Sequence, residues 1–193
     1  MTKPSEIKEW NAIAGYLYPD EGDYLYNIAA GLKKGSVFVE VGVLQGRSTA
    51  AIGLGCKESS STLSAIDHFL GNYEQQVDSS ISQASYGKAL ENITKLGILD
   101  FVLFYPLESF KVAELFDDSS VDAIFIDAGH TREDLTSDFN AWFRKVKTGG
   151  HILVHDVGTG IWTGVDDAVR DFKASENVGE VKLERTLLHL CKK

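Results

Sequence analysis

Val37-Phe-Val-Glu-Val-Gly-Val-Leu-Gln-Gly-Arg-Ser-Thr49 decides the fold of this 193-residue chain. The run from Val37 to Val41 is short and apolar and stops at a glycine, which fits a strand covered on both faces. Gly42 and Gly46 allow a tight bend and let a ligand approach the backbone closely. A helix beginning near Gln45 leaves its first N–H groups without partners, and such groups bind a carboxylate or a phosphate. Glu40, inside the strand end, chooses between them: its charge repels a pyrophosphate and accepts an ammonium group. The turn therefore reads as a site for a zwitterion. An amino-acid moiety fits it better than a dinucleotide.

Outward from this turn, strand and helix patterns alternate to the end of the chain, which predicts a doubly wound, mostly parallel α/β sheet. Strands are expected at Val37–Val41, Thr62–Ile66, 101–105 and Val121–Ile126, with a fifth after Gly149-Gly150 that ends at His155-Asp156. Segments 179–184 and 186–191 suit a terminal antiparallel hairpin, making seven strands. Helices are expected over 6–14 and 21–32, the second with Tyr24, Leu25, Ile28, Ala29 and Leu32 at helical spacing. Others follow from about Gln45, over Tyr86–Leu96 up to Gly97, briefly before Phe116, over 131–146 and from Thr163. No domain boundary is visible: residues 1–35 read as N-terminal helices on one α/β core, 36–193.

Composition narrows the function classes. A formal net charge of −9 argues against wrapping nucleic acid or docking on anionic lipid. No apolar run reaches the ~18 residues of a membrane span, and no charged-then-apolar leader follows Met1. Cys56 and Cys191 are isolated, so reduced thiols in a cytoplasm are the expectation.

Glu40-x-Gly42-x-x-x-Gly46-x-Ser48 resembles motif I of class I S-adenosylmethionine (SAM) methyltransferases, in the form found in catechol O-methyltransferase-like enzymes. Ala65-Ile-Asp67, Ile124-Phe-Ile-Asp-Ala-Gly-His130 and Gly149-Gly-His-Ile-Leu-Val-His-Asp156 resemble the later motifs, in order and at fitting spacing. The resemblance extends over roughly residues 20–191. It is strongest to the small bacterial branch related to macrolide-sugar O-methyltransferases and cephalosporin hydroxylase. It implies a Rossmann-like seven-stranded fold and transfer of a methyl group from SAM to a hydroxyl of a small metabolite. By this resemblance Glu40 and Ser48 hold the ammonium and carboxylate of the methionine part, and Gly42 and Gly46 give backbone access. Tyr105-Pro-Leu-Glu-Ser109 departs from the family pattern near the adenine, and whether Leu107 or Glu108 faces the base stays open.

Ligands of open parallel sheets bind beyond the carboxyl ends of the strands, where Asp67, Asp127, His155 and Asp156 all fall. Asp67 is placed to accept ribose hydroxyls, and His68 beside it to stack on or hydrogen-bond the adenosine. Asp127 and Asp156, on adjacent strand ends, form a carboxylate pair that wants a divalent cation. Oxygen ligands suit Mg²⁺; His155 would add a nitrogen and favour Mn²⁺ or Zn²⁺. The family places metal ligands at these positions. The bland alternative makes Asp127 a cofactor contact and Asp156 a turn former. His130 lies where the catechol-type enzymes place a lysine base, and an imidazole titrating near pH ~6.5 suits that task; otherwise it is only a helix N-terminal residue. His151 and His189 read as structural. The polar segment 69–84 is either a lid anchored by Tyr73 or a surface excursion. A homodimer is left open. Behind the O-methyltransferase reading stand a hydroxylase-type enzyme on the same scaffold, a non-catalytic SAM-binding module and, last, a NAD-dependent oxidoreductase.

Overall fold

Seven strands line up in the order β3-β2-β1-β4-β5-β7-β6. They are β1 (Val37–Val41), β2 (Thr62–Ile66), β3 (Val102–Tyr105), β4 (Val121–Ile126), β5 (Val146–Val154), β6 (Val178–Glu184) and β7 (Leu187–Lys192). The first five are parallel; β7 runs antiparallel to β5, and β6 antiparallel to β7. The computed structural model describes residues 2–71, 83–174 and 178–193. The expected seven-stranded α/β sheet with its terminal hairpin is present. The sequence does not reveal that the hairpin turns its last strand inward. Leu187, Leu188 and Leu190 of β7 are buried, while β6 exposes Val181 and Leu183. The more apolar strand takes the position paired on both sides, and the charged one takes the edge.

The helices are α1 (Lys8–Asn11), α2 (Pro19–Ala30), α3 (Arg47–Ser59), α4 (Tyr86–Lys95), α5 (Ser109–Ala113), α6 (Arg132–Trp142) and α7 (Thr163–Lys173). Boundaries shift for local reasons. The first helix is shorter than expected because a 3₁₀ turn, Pro4–Glu6, precedes it. α2 starts at Pro19, whose fixed φ suits a first helical position. β5 starts at Val146, before the glycine pair, and absorbs that pair in an irregularity opposite Val121–Ala123.

Strand alternation splits the apolar residues between two faces. Phe38, Leu63, Phe125 and Leu153 face Leu25, Ile52 and Ile93 on α2, α3 and α4. Val39, Val41, Ile124, Ile152 and Val154 face Leu135, Trp142 and Val169 on α6 and α7. Helices α2 and α3 pack so closely that a Cβ at Gly55 would come within 2.5 Å of the Tyr26 carbonyl oxygen. No helix among the described residues is long and apolar enough to cross a membrane. Most of segment 69–84, including Tyr73, lies outside the described residues.

Candidate active site

The chain leaves each central strand at the same rim. Asp67 N–H donates to the Tyr105 carbonyl, Asp127 N–H to Val41 and His155 N–H to Ile126, so each residue extends the ladder by one step. Gly42 follows β1 with φ +95°, and a Cβ there would sit 2.1 Å from the Asp127 carbonyl oxygen. No other residue fits. Gly46, with φ +87°, is the N-cap of α3, which starts at Arg47, two residues later than the sequence suggests.

Glu40 lies in β1 between Ala65 and Phe125 of the neighbouring strands, pointing to the α3 face. It is fully buried, and both carboxylate oxygens lack a hydrogen-bond partner. Burial raises its pKa to about 8. The nearby Ser48 and Thr49 hydroxyls lower it in part, and the charges of Asp127 and Asp67 raise it further. A buried, unsatisfied carboxylate is costly, and a cation arriving with N–H donors would relieve it.

Two cavities flank the Gly42–Leu44 turn and share its residues with Asp127 and Ala128. The first, about 510 Å³, runs from Asp67 and His68 past Leu107–Phe110 to Asp134 and Asp138 of α6. Asp67 uses its carboxylate on the turn itself. Oδ2 accepts from Val43 N–H (2.9 Å) and Leu44 N–H (3.1 Å), and Oδ1 accepts from Phe69 N–H (2.7 Å). A carboxylate has about four acceptor sites, so capacity remains for hydroxyls in the cavity. His68 is exposed, and its Nδ1 accepts from Leu70 N–H at 3.0 Å.

The second cavity, about 690 Å³, is the more apolar. Its walls are the 15–18 segment, with exposed Tyr16 and Tyr18, and the 159–162 loop, with Ile161 and Trp162. Arg47 fixes the first wall by donating to the Leu17 and Ile13 carbonyls, at 3.0 and 2.8 Å, rather than reaching for a ligand. Ser48 of α3 also lines this cavity.

A chain of charges borders the second cavity. His155 is buried with Nδ1 3.2 Å from Asp127 Oδ1 and 3.6 Å from Asp156 Oδ2, and Nε2 3.1 Å from Glu21 Oε2. Burial lowers its pKa, but the charge of Asp127 and hydrogen bonds to Asp127, Asp156 and Glu21 outweigh this and raise it well above the ordinary value. Three carboxylates surround its ring. Glu21 also accepts from the Thr186 N–H (2.9 Å) and hydroxyl (2.7 Å). Asp156, in left-handed backbone at φ +63°, meets His130 Nε2 at 3.1 Å. Burial raises the Asp156 pKa, yet hydrogen bonds and charge from His130 and His155 hold it well below the usual carboxylate range. The His130 ring stacks on Trp162 at 4.2 Å between centroids.

The sequence proposes Asp127, Asp156 and His155 as the metal set. Each nitrogen of His155 faces a carboxylate, Nε2 towards Glu21 and Nδ1 towards Asp127 and Asp156. Among the described residues, single ligand atoms of Asp127, His130 and Asp156 lie within 4.8 Å of one another, a spacing that fits one cation. The remaining expected residues (Glu40, Gly42, Gly46, Ser48, Asp67, His68, Asp127) line or border the two cavities. Sequence reading missed Glu21, Trp162 and Asp138. Glu21 reads as an ordinary helix-start acid, since it does accept from Tyr18 N–H at 3.0 Å. His151, Leu153 and His155 share one face of β5 by simple alternation, so His155 could have been placed toward α2. His151 and His189 form a hydrogen-bonded chain with Tyr24, at 2.9 and 2.8 Å, consistent with a structural role.

Known proteins share this architecture. The O-methyltransferase from Bacillus cereus, solved in complex with SAH, superposes with a TM-score of 0.68 over 95% of this chain and 85% of that one, at 18% identity. TomG from Streptomyces achromogenes, an O-methyltransferase of tomaymycin synthesis solved with SAM, gives 0.68 over 92% and 82%, at 15% identity. The O-methyltransferase NovP gives 0.69 over 91% and 80%, at 18% identity. Similarity at this level speaks for the fold. A family profile described as a methyltransferase domain matches residues 39–157, the segment that carries Glu40, the glycine turn and Asp127 through Asp156. With more than half its length matched, and over the part that builds both cavities, this chain belongs to the methyltransferase-domain family.

Proposed function

We propose that the protein is a SAM-dependent O-methyltransferase of a small hydroxylated metabolite, assisted by a divalent cation. The observation that carries the reading is Glu40, a buried unpartnered carboxylate beneath a glycine turn that separates two cavities. It suits the ammonium of a methionine moiety, with adenosine extending into the first cavity past Asp67 and the acceptor entering the second. When bound, SAM supplies a sulfonium methyl electrophile, and a cation would supply positive charge that acidifies the acceptor hydroxyl. Asp127, His130 and Asp156 fit that cation as a group of two carboxylates and one imidazole around a shared space. The residues themselves orient and desolvate the acceptor: Tyr16, Tyr18 and Trp162 present flat apolar surface beside the acidic cluster. Most of the acceleration comes from such positioning.

A second reading of the proton step rests on the 3.1 Å contact between His130 and Asp156. There His130 takes the hydroxyl proton directly and Asp156 steadies the resulting imidazolium. Titration calorimetry separates these readings. SAH should bind the wild type and NAD should not; Mn²⁺ should then bind the SAH complex and fail to bind Asp156→Ala, which still binds SAH. Failure of SAH to bind overturns the methyltransferase reading. Absence of Mn²⁺ binding with SAH intact removes the cation and leaves the His130–Asp156 pair.

A further inference from the structure

The far end of the first cavity holds a carboxyl that the reading above leaves unused. Asp138, on α6, is half-buried and reaches solvent at the cavity wall. It is set beside Ser109, whose hydroxyl oxygen accepts from Trp142 Nε1–H at 2.8 Å and so has its own proton to give. Two other acids border this end. Glu108 is drawn into a 2.5 Å ion pair with Lys111 on the solvent side. Asp134 accepts from the Thr131 hydroxyl at 2.7 Å and closes the helix start. Asp138 receives the Ser109 hydroxyl and, unlike Glu108, is drawn into no ion pair among the described residues.

A ligand that enters with its amino-acid part over Glu40 and its ribose beside Asp67 sends its base toward this end. Across the sheet edge the direction is set by strand order, since β1, β2 and β3 are neighbours and α5 and α6 cover that face. The base would lie between Leu107–Phe110 and Ala128–Gly129 and meet α6 with one polar edge. We propose that Asp138 reads the adenine as a neutral carboxylic acid, accepting from the exocyclic N6 amino group and donating its own proton to a ring nitrogen. This rests on the cofactor reading above, and it moves adenine selection from the loop after β3, where the sequence directs attention, to a helix of the opposite wall.

The chemistry supports a neutral acid. An adenine edge presents a donor beside an acceptor, which a carboxylate cannot match but a protonated carboxyl or a carboxamide can. Burial raises the Asp138 pKa to about 6, the Ser109 hydroxyl lowering it and the Asp134 charge raising it. The other charged groups facing this cavity are Glu108 with Lys111 on the α5 side, Asp67 and His68 after β2, and Asp127 after β4. Placing the base over Asp138 removes its remaining water and favours the proton further.

Calorimetry with the full chain and SAH tests this, run at pH 7.5 in two buffers of different ionisation enthalpy. The wild type should take up more protons on binding than Asp138→Asn, and that difference cancels the opposite contribution of Glu40. Asp138→Asn, whose amide mimics the neutral acid, should keep affinity within about threefold of wild type, and Asp138→Ala should lose about tenfold or more. The 6-deamino analogue of SAH should bind the wild type about tenfold more weakly than SAH but lose little in Asp138→Ala. Equal proton uptake in wild type and Asp138→Asn, or an equal penalty for the analogue in all variants, overturns the proposal while SAH binding itself upholds the cofactor reading. If SAH does not bind at all, both fall.

Discussion

On the proposed cofactor reading, Glu40 is kept for a ligand at the expense of the free fold. Its pKa, raised from 4.5 to about 8, means that the folded chain holds this proton more tightly than the unfolded chain does. The stability it contributes is present below the unfolded value and is lost as pH rises through about 8. The cost at alkaline pH is on the order of a few kcal/mol. Glu40→Gln removes the charge and keeps the shape. Its thermal midpoint should match wild type near pH 5 and exceed it by several degrees at pH 8.5, while its SAH affinity falls by roughly 1.5–3 kcal/mol through loss of a charge-assisted bond. Parallel pH profiles for the two proteins would show that Glu40 is satisfied in the free state.

At the scale of elements, α2 is fastened to the active rim by two side chains one turn apart. Glu21 reaches His155 and Thr186, and Tyr24 reaches His189. Helix α2 thereby sets where the His155 ring points, and His155 in turn sets Asp127 and Asp156. The Glu21 pKa is raised by burial, yet hydrogen bonds and charge from His155 and bonds from Thr186 lower it overall. Removing one partner of such a buried pair leaves the other charge uncompensated, a loss of about 3–5 kcal/mol. Glu21→Ala should therefore lower the thermal midpoint by roughly 10 °C. Calorimetric scanning checks this. A midpoint within 2 °C of wild type would mean that water replaces the carboxylate at no cost.

For the whole molecule, the two cavities share the turn after β1 together with Asp127 and Ala128, so occupancy of that turn should be felt globally. SAH at about 100 times its dissociation constant should stabilise the fold by about 2.7 kcal/mol. In a chain of this size that is a rise of roughly 5–10 °C in midpoint, with no rise for NAD at the same concentration. A larger shift with NAD would reverse the assignment of the glycine turn.

The sequence by itself determined the strands, their alternation with helices and the glycine turn after β1. These rest on local chemistry: apolar runs of strand length, glycines with positive φ, and an acid where a phosphate would be repelled. The motif residues Asp67, Asp127 and Asp156 were legible for the same reason, because a polar residue that ends an apolar strand must come to the ligand-binding rim. Only the tertiary structure decided which carboxylates each histidine faces. His155 and His130 are equivalent in sequence until α2 brings Glu21, distant by 134 positions, onto the His155 ring. Likewise Asp138 reads as one more polar residue of an amphipathic helix until α5 and α6 close around it. Local patterns fix what a backbone segment can be, whereas the charge state and partner of a side chain depend on neighbours brought together by packing.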